Sequence, residues 1–379
     1  MDHLEHAEHM VAVMRGWDHF ECELNPDALI LDVDVAPPGP ILPFSDRGQI
    51  DDELRNLADE LQPDNPDRRA LDGRLSASRT RLALKRGDAV PMSIYVPETM
   101  HVAAGEIPEG MLEELRAGYR ALETSYGTLP ELGTDEVPNE VKQAFVNWAP
   151  DAIRNYVAIP DIGHVDIDVK PRAVSWTAYY SESAERGQFL DVNSNSPLAR
   201  TRPTIRLIMT HEHTHAGQRT SIRDGIEAGD LNPALGQVTP HTPEVLGFET
   251  AAIVLEYLAT RGDSETPVST RQYVQLREMY RTYAVHNMHH LLMVTGDIEA
   301  AARFGNKWLS DFYAEEQLVE SNQYRFDHDW MWSYVYTYAK ATEYAVRLME
   351  MPRNRQRAAL QAIVDQPMIL EQIEGKLAA

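Results

Sequence analysis

The sequence predicts a mainly α protein with a small antiparallel β-sheet, built as two lobes with a cleft between them. Three observations lead there. Most of the 379-residue chain places its apolar residues at helical spacing. One stretch near the middle alternates apolar and polar residues instead, and carries Val, Ile, Trp and Tyr. No internal repeat or low-complexity linker divides the chain. The expected organisation is a mostly helical lobe over residues 1–160. A second lobe over 161–379 would hold the strands and the C-terminal helices.

The segment up to about Gly48 combines a short helical start with the Pro-rich "DVAPPGPILPF", which reads as extended. "IDDELRNLADEL" and "RALDGRLSASRTRLALKR" read as two helices split by "QPDNPD". "PEGMLEELRAGYRALETSYG" is a further helix, and "PNEVKQAFVNWAPDAIRNYVAI" another, kinked at Pro150. "HVDIDVKPRAVSWTAYYS" and "GQFLDVNSN" then give two or three short strands, with Pro171 marking a sheet edge or a break. Pro203 sits in the first turn of the helix that follows. "TPEVLGFETAAIVLEYLATRG" is a helix with Thr242 as N-cap and Gly262 as stop. "TRQYVQLREMYRTYAVHNMHHLLMVTG" runs long and ends at Gly296. Three or four more helices follow, one of them the aromatic-rich "WMWSYVYTYAKATEYAVRLM".

The chain carries 35 Lys plus Arg against 59 Asp plus Glu, a formal charge of −24. That field repels phosphate backbones and anionic lipid, so neither a nucleic-acid nor a membrane partner is expected. No apolar run approaches the roughly 20 residues of a membrane span. The acidic, His-rich N-terminus lacks the apolar core of a signal peptide. Cys22 is the sole cysteine, which excludes an intrachain disulfide and a cysteine metal cluster. These features lead to the expectation of a cytoplasmic protein acting on a small molecule or a peptide.

The stretch "TIRLIMTHEHTHAGQRT", Thr204 to Thr220, carries the chemistry. His211 and His215 are four apart, so on a helix both imidazoles share a face with the reach to hold one metal ion. Glu212 lies at the edge of that face, where it can touch a metal-bound water without ligating the metal. This is the H-E-x-x-H arrangement of zinc hydrolases, in which the Glu takes a proton from a metal-activated water. His213 lies about 200° round the helix and should not reach the same ion. The strand pair just upstream suits it too, since zinc peptidases hold extended substrate along such an edge. The competing reading is a helix whose histidines are structural.

For a third ligand, Glu249 and Glu256 lie on one face of the apolar stretch "GFETAAIVLEYLA". Carboxylates on so apolar a helix need partners or a metal. Glu249 is the first choice, since Gly247 allows close approach. Glu256 suits a supporting role, accepting from a ligand histidine's other N–H. Glu244, in the first helical turn, is weaker. Oxyanion stabilisation calls for a His, Tyr or Arg donor. His290 or Tyr283 in "YRTYAVHNMHH" is the expected one, beside Arg281, His286 and His289, with Tyr179 and Tyr180 as further donors. The aromatic run from Trp330 to Tyr344 reads as core or pocket wall. Zn2+ is the expected cofactor and Fe2+ the alternative. Nucleotide loops, a GxSxG elbow and CxxC pairs are absent. Glu212-x-x-His215 also has the spacing of di-iron bundles, without the second E-x-x-H such sites use.

"THEHTHAG" resembles the thermolysin-type, or gluzincin, motif helix, although no glutamate sits at that family's short spacing for a third ligand. A broader resemblance, from about Ile162 to the C-terminus, is to a bacterial family of helical metallopeptidase-like proteins. Its members carry a strand pair ending near an Asn, an HE-x-x-P-G-H helix, an EGWA-x-Y-x-E helix, an Arg-rich helix with a His, and an aromatic helix with a Tyr. The order here is similar: "GQFLDVNSN", "HEHTHAGQ", "FETAAIVLE", "YRTYAVHNMHH", "WMWSYVYTYAKATEYA". It is a match of order and spacing with few identities. Pro-Gly-His is absent, so His215 at helical spacing must serve as second ligand. The resemblance implies a zincin-like helical architecture. It puts the acids of the second motif at Glu249 and Glu256 and the His of the third at His290. The expectation is a zinc-dependent hydrolase of an amide, peptide or ester bond. Its ligands are His211, His215 and Glu249, its base is Glu212, and His290 or Tyr283 serves the oxyanion. A non-hydrolytic metal enzyme (oxidase, lyase or cyclase) and a non-enzymatic helical binding protein are the alternatives.

Overall fold

A computed structural model describes residues 2–25, 28–126, 129–172, 177–183 and 187–378. The chain is mainly helical with one small sheet. Helix α1 (His3–Leu24) is longer than the short helical start expected. An Asp2–Glu5 capping box opens it, and Met10, Met14 and Trp17 bury its inner face. After strand β1 (Val33–Asp34) come α2 (Arg47–Glu60) and α3 (Arg68–Lys85), on either side of the Pro-rich break. Helix α4 (Met92–Met100) has no clear signal in the sequence, since Pro97 lies inside it. Full burial of Tyr95, Val96 and Met100 outweighs its poor propensity. Next are α5 (Glu109–Tyr126) and α6 (Val137–Gln143). A π turn, Ala144–Trp148, joins α6 to α7 (Ala149–Ile153). The distortion expected at Pro150 takes this form, with the Ala149 N–H bonded to the Ala144 carbonyl five residues back.

The sheet comprises β1, β2 (Asp166–Lys170), β3 (Ala178–Ser183), β4 (Gly187–Asn193) and β5 (Gln237–Val238), in the order β2-β4-β3-β1-β5. It is mixed, not antiparallel as expected. β3 and β4 form an antiparallel hairpin, with Ala178 opposite Val192, and β1 and β5 pair antiparallel. However, β2 runs parallel to β4 and β1 parallel to β3. The alternating pattern identifies strands but not partners. β2 is separated from its neighbour β4 by the intervening β3, so no hairpin turn fixes its direction. β2 ends at the break marked by Pro171. Residues 173–176, which the alternation assigns to a strand, lie outside the described residues.

Helix α8 (Arg202–Ala228) carries the histidine motif. The Thr201 hydroxyl caps it, Pro203 sits in its first turn, and Gly229 ends it at φ 79°. Helix α9 (Val245–Gly262) starts after Glu244 rather than Thr242, whose hydroxyl donates instead to the Thr239 carbonyl at 3.1 Å. Helix α10 (Val268–Thr295) ends as expected at Gly296, φ 66°. The remaining helices are α11 (Ile298–Leu309), α12 (Glu315–Asp327), α13 (Met331–Glu350), α14 (Arg353–Asp365) and α15 (Leu370–Ala378).

Helix α9 is buried on every side from Val245 to Thr260 and packs between α8 and α13. A helix apolar all round belongs in the interior, and its carboxylates are carried there with it. Each apolar cluster draws on both sides of residue 160. Tyr95 and Met100 pack with Val254 and Leu348, Tyr119 and Phe145 with Ile208 and Tyr280, and Trp17 and Leu54 with Leu235 and Ile369. The change of texture near residue 160 therefore does not separate two hydrophobic cores. Among the described residues, no helix is long and apolar enough to cross a membrane.

Candidate metal centre

The inner face of α8 meets α9 beneath a cavity of about 230 Å3, walled by β3, α10 and α13. His211, His215 and Glu249 converge there. The two Nε2 atoms lie 3.0 Å apart. Glu249 Oε2 is 3.2 Å from His211 Nε2, and Glu249 Oε1 is 3.6 Å from His215 Nε2. Ligand atoms of a tetrahedral zinc site sit about 3.3 Å from one another, given metal–ligand bonds of about 2.0 Å. These donors match that spacing.

Both histidines are fixed from behind. His211 Nδ1 meets the Glu256 carboxylate, and His215 Nδ1 lies 3.0 Å from Gln218 Oε1. Each Nδ1 thus faces an oxygen acceptor to which it can donate, and both Nε2 atoms turn to each other and to the Glu249 carboxylate. Three buried ligand atoms this close together need a proton or a cation between them. Burial resists charge on His211, but Glu256 and Glu249 outweigh it and hold its pKa well above the ordinary value. Burial likewise opposes the Glu249 carboxylate, and His215 and His211 overcome that, holding its pKa well below the usual range. The electrostatics of the centre thus favour positive charge beside an ionised Glu249.

Glu212 is buried beside the triad, and its Oε2 accepts the Tyr180 backbone N–H at 3.1 Å. That N–H is available because β3 pairs with β4 along one edge but meets the two-residue β1 only at Glu182 on the other. Burial pushes the Glu212 carboxyl up, against the pull of His211 and His215. Of the other acids, Glu256 takes the supporting place behind His211. Glu244 is held in a buried ion pair with Arg74 at 2.6 Å and stands outside the centre. Gly247 does not serve approach to the motif helix as expected. Its close neighbour is the Met368 carbonyl, 2.9 Å from where a Cβ would lie. His213 points away, edge-on to Phe145 at 5.2 Å, and burial lowers its pKa to about 4.

Of the expected oxyanion donors, Tyr179 and Tyr180 line the cavity, but the first choices, Tyr283 and His290, do not. Helix α10 turns Glu278, Arg281, Thr282 and Val285 to the cavity, one face at helical spacing, and neither Tyr283 nor His290 lines it. His290 Nδ1 bonds the Tyr336 hydroxyl at 2.9 Å, and Tyr283 is buried elsewhere in the core. The donors beside the ligands come instead from α13. The Tyr334 hydroxyl donates to Glu249 Oε1 at 2.8 Å and lies 3.0 Å from the Tyr338 hydroxyl. The reading of this aromatic run as pocket wall holds for Trp330, Tyr334 and Tyr338. Asp32 and Arg219 also line the cavity and were not singled out. Arg219 had a signal, since it lies eight residues beyond His211 and four beyond His215, on the same helical face. Asp32, brought in by the strand pairing of β1, had none.

No protein-family model and no curated protein matches the chain. Among solved structures it is similar to one described as "the putative lipoprotein from Colwellia psychrerythraea", at 11% identity and a TM-score of 0.55. The match covers 87% of this chain but only 66% of that one. The chain therefore spans just under two thirds of that protein's length, and the likeness is one of fold.

Proposed function

We propose that this chain is a metal-dependent hydrolase acting on an amide, peptide or ester bond of a small substrate. In this reading His211, His215 and Glu249 hold zinc and Glu212 is the general base. One observation carries it: two histidine nitrogens and a carboxylate converge, buried, at the spacing of a metal's ligands. Zinc held by these residues would supply Lewis acidity and activate water for attack. Glu212, with its carboxyl already raised by burial, accepts the water's proton, and the Tyr180 N–H keeps it aimed. The Tyr334 proton is committed to Glu249, and the Tyr338 hydroxyl beside it is the one that can turn its proton to a developing oxyanion. Apolar walls from Phe248, Ile253 and Val335 limit access of bulk water.

Two histidines and one carboxylate also suit non-haem Fe(II), so a non-hydrolytic oxidase, lyase or cyclase is the second reading. The position of Glu212, held beside the ligands without ligating, favours hydrolysis. Metal analysis of purified protein followed by zinc titration tests the site. A preparation that is metal-free and ignores added zinc overturns the proposal, and iron with an oxygen requirement transfers it to the second reading. In the zinc-loaded protein, Glu212→Gln retains zinc and loses about 10²- to 10⁴-fold in turnover of acyl amino acid anilides and esters. Full activity in that variant removes the general-base role.

A further inference from the structure

The cavity contains a cation that the metal reading does not use. Arg219 is 5% exposed and lines the cavity one helical turn beyond His215. Its Nε and Nη1 atoms have no hydrogen-bond partner. Among the described residues no carboxylate lies within ion-pair distance of it, whereas Arg281 on the same cavity pairs with Glu278 at 2.8 Å and Arg325 bonds the Ser321 hydroxyl. Asp32 acts on it through space but accepts the Tyr179 hydroxyl rather than a guanidinium N–H. The guanidinium is held in place by the Phe248 ring, 4.3 Å from its centroid.

A buried guanidinium with free donors is expensive, and a protein retains one where something else completes it. Its planar fork matches a carboxylate in two parallel hydrogen bonds. His215 and Arg219, four apart on one helical face, have Cβ atoms about 6 Å apart. A carboxylate on Arg219 would thus lie within one residue's length of a carbonyl at the metal centre. The cavity volume, about 230 Å3, suits a small ligand rather than a long peptide.

We propose that Arg219 is the substrate-carboxylate anchor of this site, and that the substrates are small amides or esters with a free carboxylate next to the scissile bond, such as N-acyl amino acids. This rests on the hydrolase reading for the reaction, but the anchor itself can be tested without turnover. The probes are N-acetyl-L-phenylalanine and its uncharged amide, titrated calorimetrically into wild-type protein with and without zinc. The acid is expected to bind at least tenfold more tightly than the amide. In Arg219→Gln the difference disappears while zinc affinity is unchanged. Arg219→Lys, which keeps the charge but not the fork, retains part of the preference and guards against misfolding of the first variant. Equal affinity for acid and amide in wild type, or affinity for neither, overturns the anchor. A preference lost in Arg219→Gln by a protein that binds no zinc keeps the anchor and removes the metal reading. Zinc binding with no preference does the reverse.

Discussion

Two helices of this protein carry clustered, buried histidines, and their surroundings differ in kind. On α8, His211 and His215 face carboxylates and an amide oxygen: Glu256 and Gln218 behind them, Glu249 in front. On α10, His286, His289 and His290 hydrogen-bond neutral groups, namely the Gly105 carbonyl at 2.7 Å, the Trp332 carbonyl at 3.2 Å and the Tyr336 hydroxyl, with the Arg325 cation near His289. The consequence is opposite protonation behaviour. Burial lowers the pKa of His286 to about 4 and of His289 to about 3. On α8, carboxylates overcome the same burial and raise that of His211. Histidine density therefore does not mark a site. The acids gathered around the buried α8 histidines are what distinguishes the two helices.

The sharpest way to break this comparison is metal affinity. His211→Ala or His215→Ala should lower zinc affinity by more than about a hundredfold, beyond the range of supporting-residue mutations. His289→Gln should leave it unchanged. A titration in which both helices' variants lose zinc equally would show that the contrast carries no functional meaning.

The next largest effect falls on the residue behind the ligand. Glu256→Gln keeps a hydrogen-bond acceptor for His211 Nδ1 but removes the charge. Zinc affinity should drop about ten- to a hundredfold, with the fold intact by far-ultraviolet circular dichroism. No change in affinity would make Glu256 a core acid paired with histidine only for its own burial.

Much of this centre could be read from the chain. The convergence of His211 with His215, the place of Glu212 beside them and the shared face of Glu249 and Glu256 follow from helical spacing, because one helix face is a local property. Donors from other elements could not be read this way. Nothing local says that α13 brings Tyr334 to Glu249, or that the two residues of β1 bring Asp32 beside the motif. His290 and Tyr283 are the expected oxyanion donors by residue type, and His290 also by the order of the resembling motifs, neither of which fixes the helix's rotation. The rotation of α10 that excludes them is set by its packing against α5, α11 and α13. The strands were legible but their directions were not, since register and partner are tertiary facts.

Acid sharpens the comparison further. Above pH 6.5 the α10 histidines are neutral in both folded and unfolded chains and contribute no pH dependence. Below it the unfolded chain takes up protons that the fold refuses until about pH 4 for His286 and about 3 for His289. Stability therefore falls as pH drops through this window, and at pH 5 His289 alone costs about 2 kcal/mol. Urea midpoints between pH 7 and 5 should fall less steeply for His289→Gln than for wild type. Parallel slopes would mean that His289 is protonated in the fold.

The smallest expected effect is the one that separates the two helices in catalysis. Gln at position 290 can still pair with the Tyr336 hydroxyl, and Phe at 283 keeps the ring that packs in the core. His290→Gln and Tyr283→Phe should therefore turn over substrate within about threefold of wild type, a difference of well under 1 kcal/mol. Tyr338→Phe removes a hydroxyl beside the ligands and should cost more. A developing oxyanion gains most from a donor at the cavity wall, and the Tyr338 hydroxyl lies there beside Tyr334. If His290→Gln instead cost as much as Tyr338→Phe, the active form of the protein would need a rotation of α10 that carries His290 to the cavity.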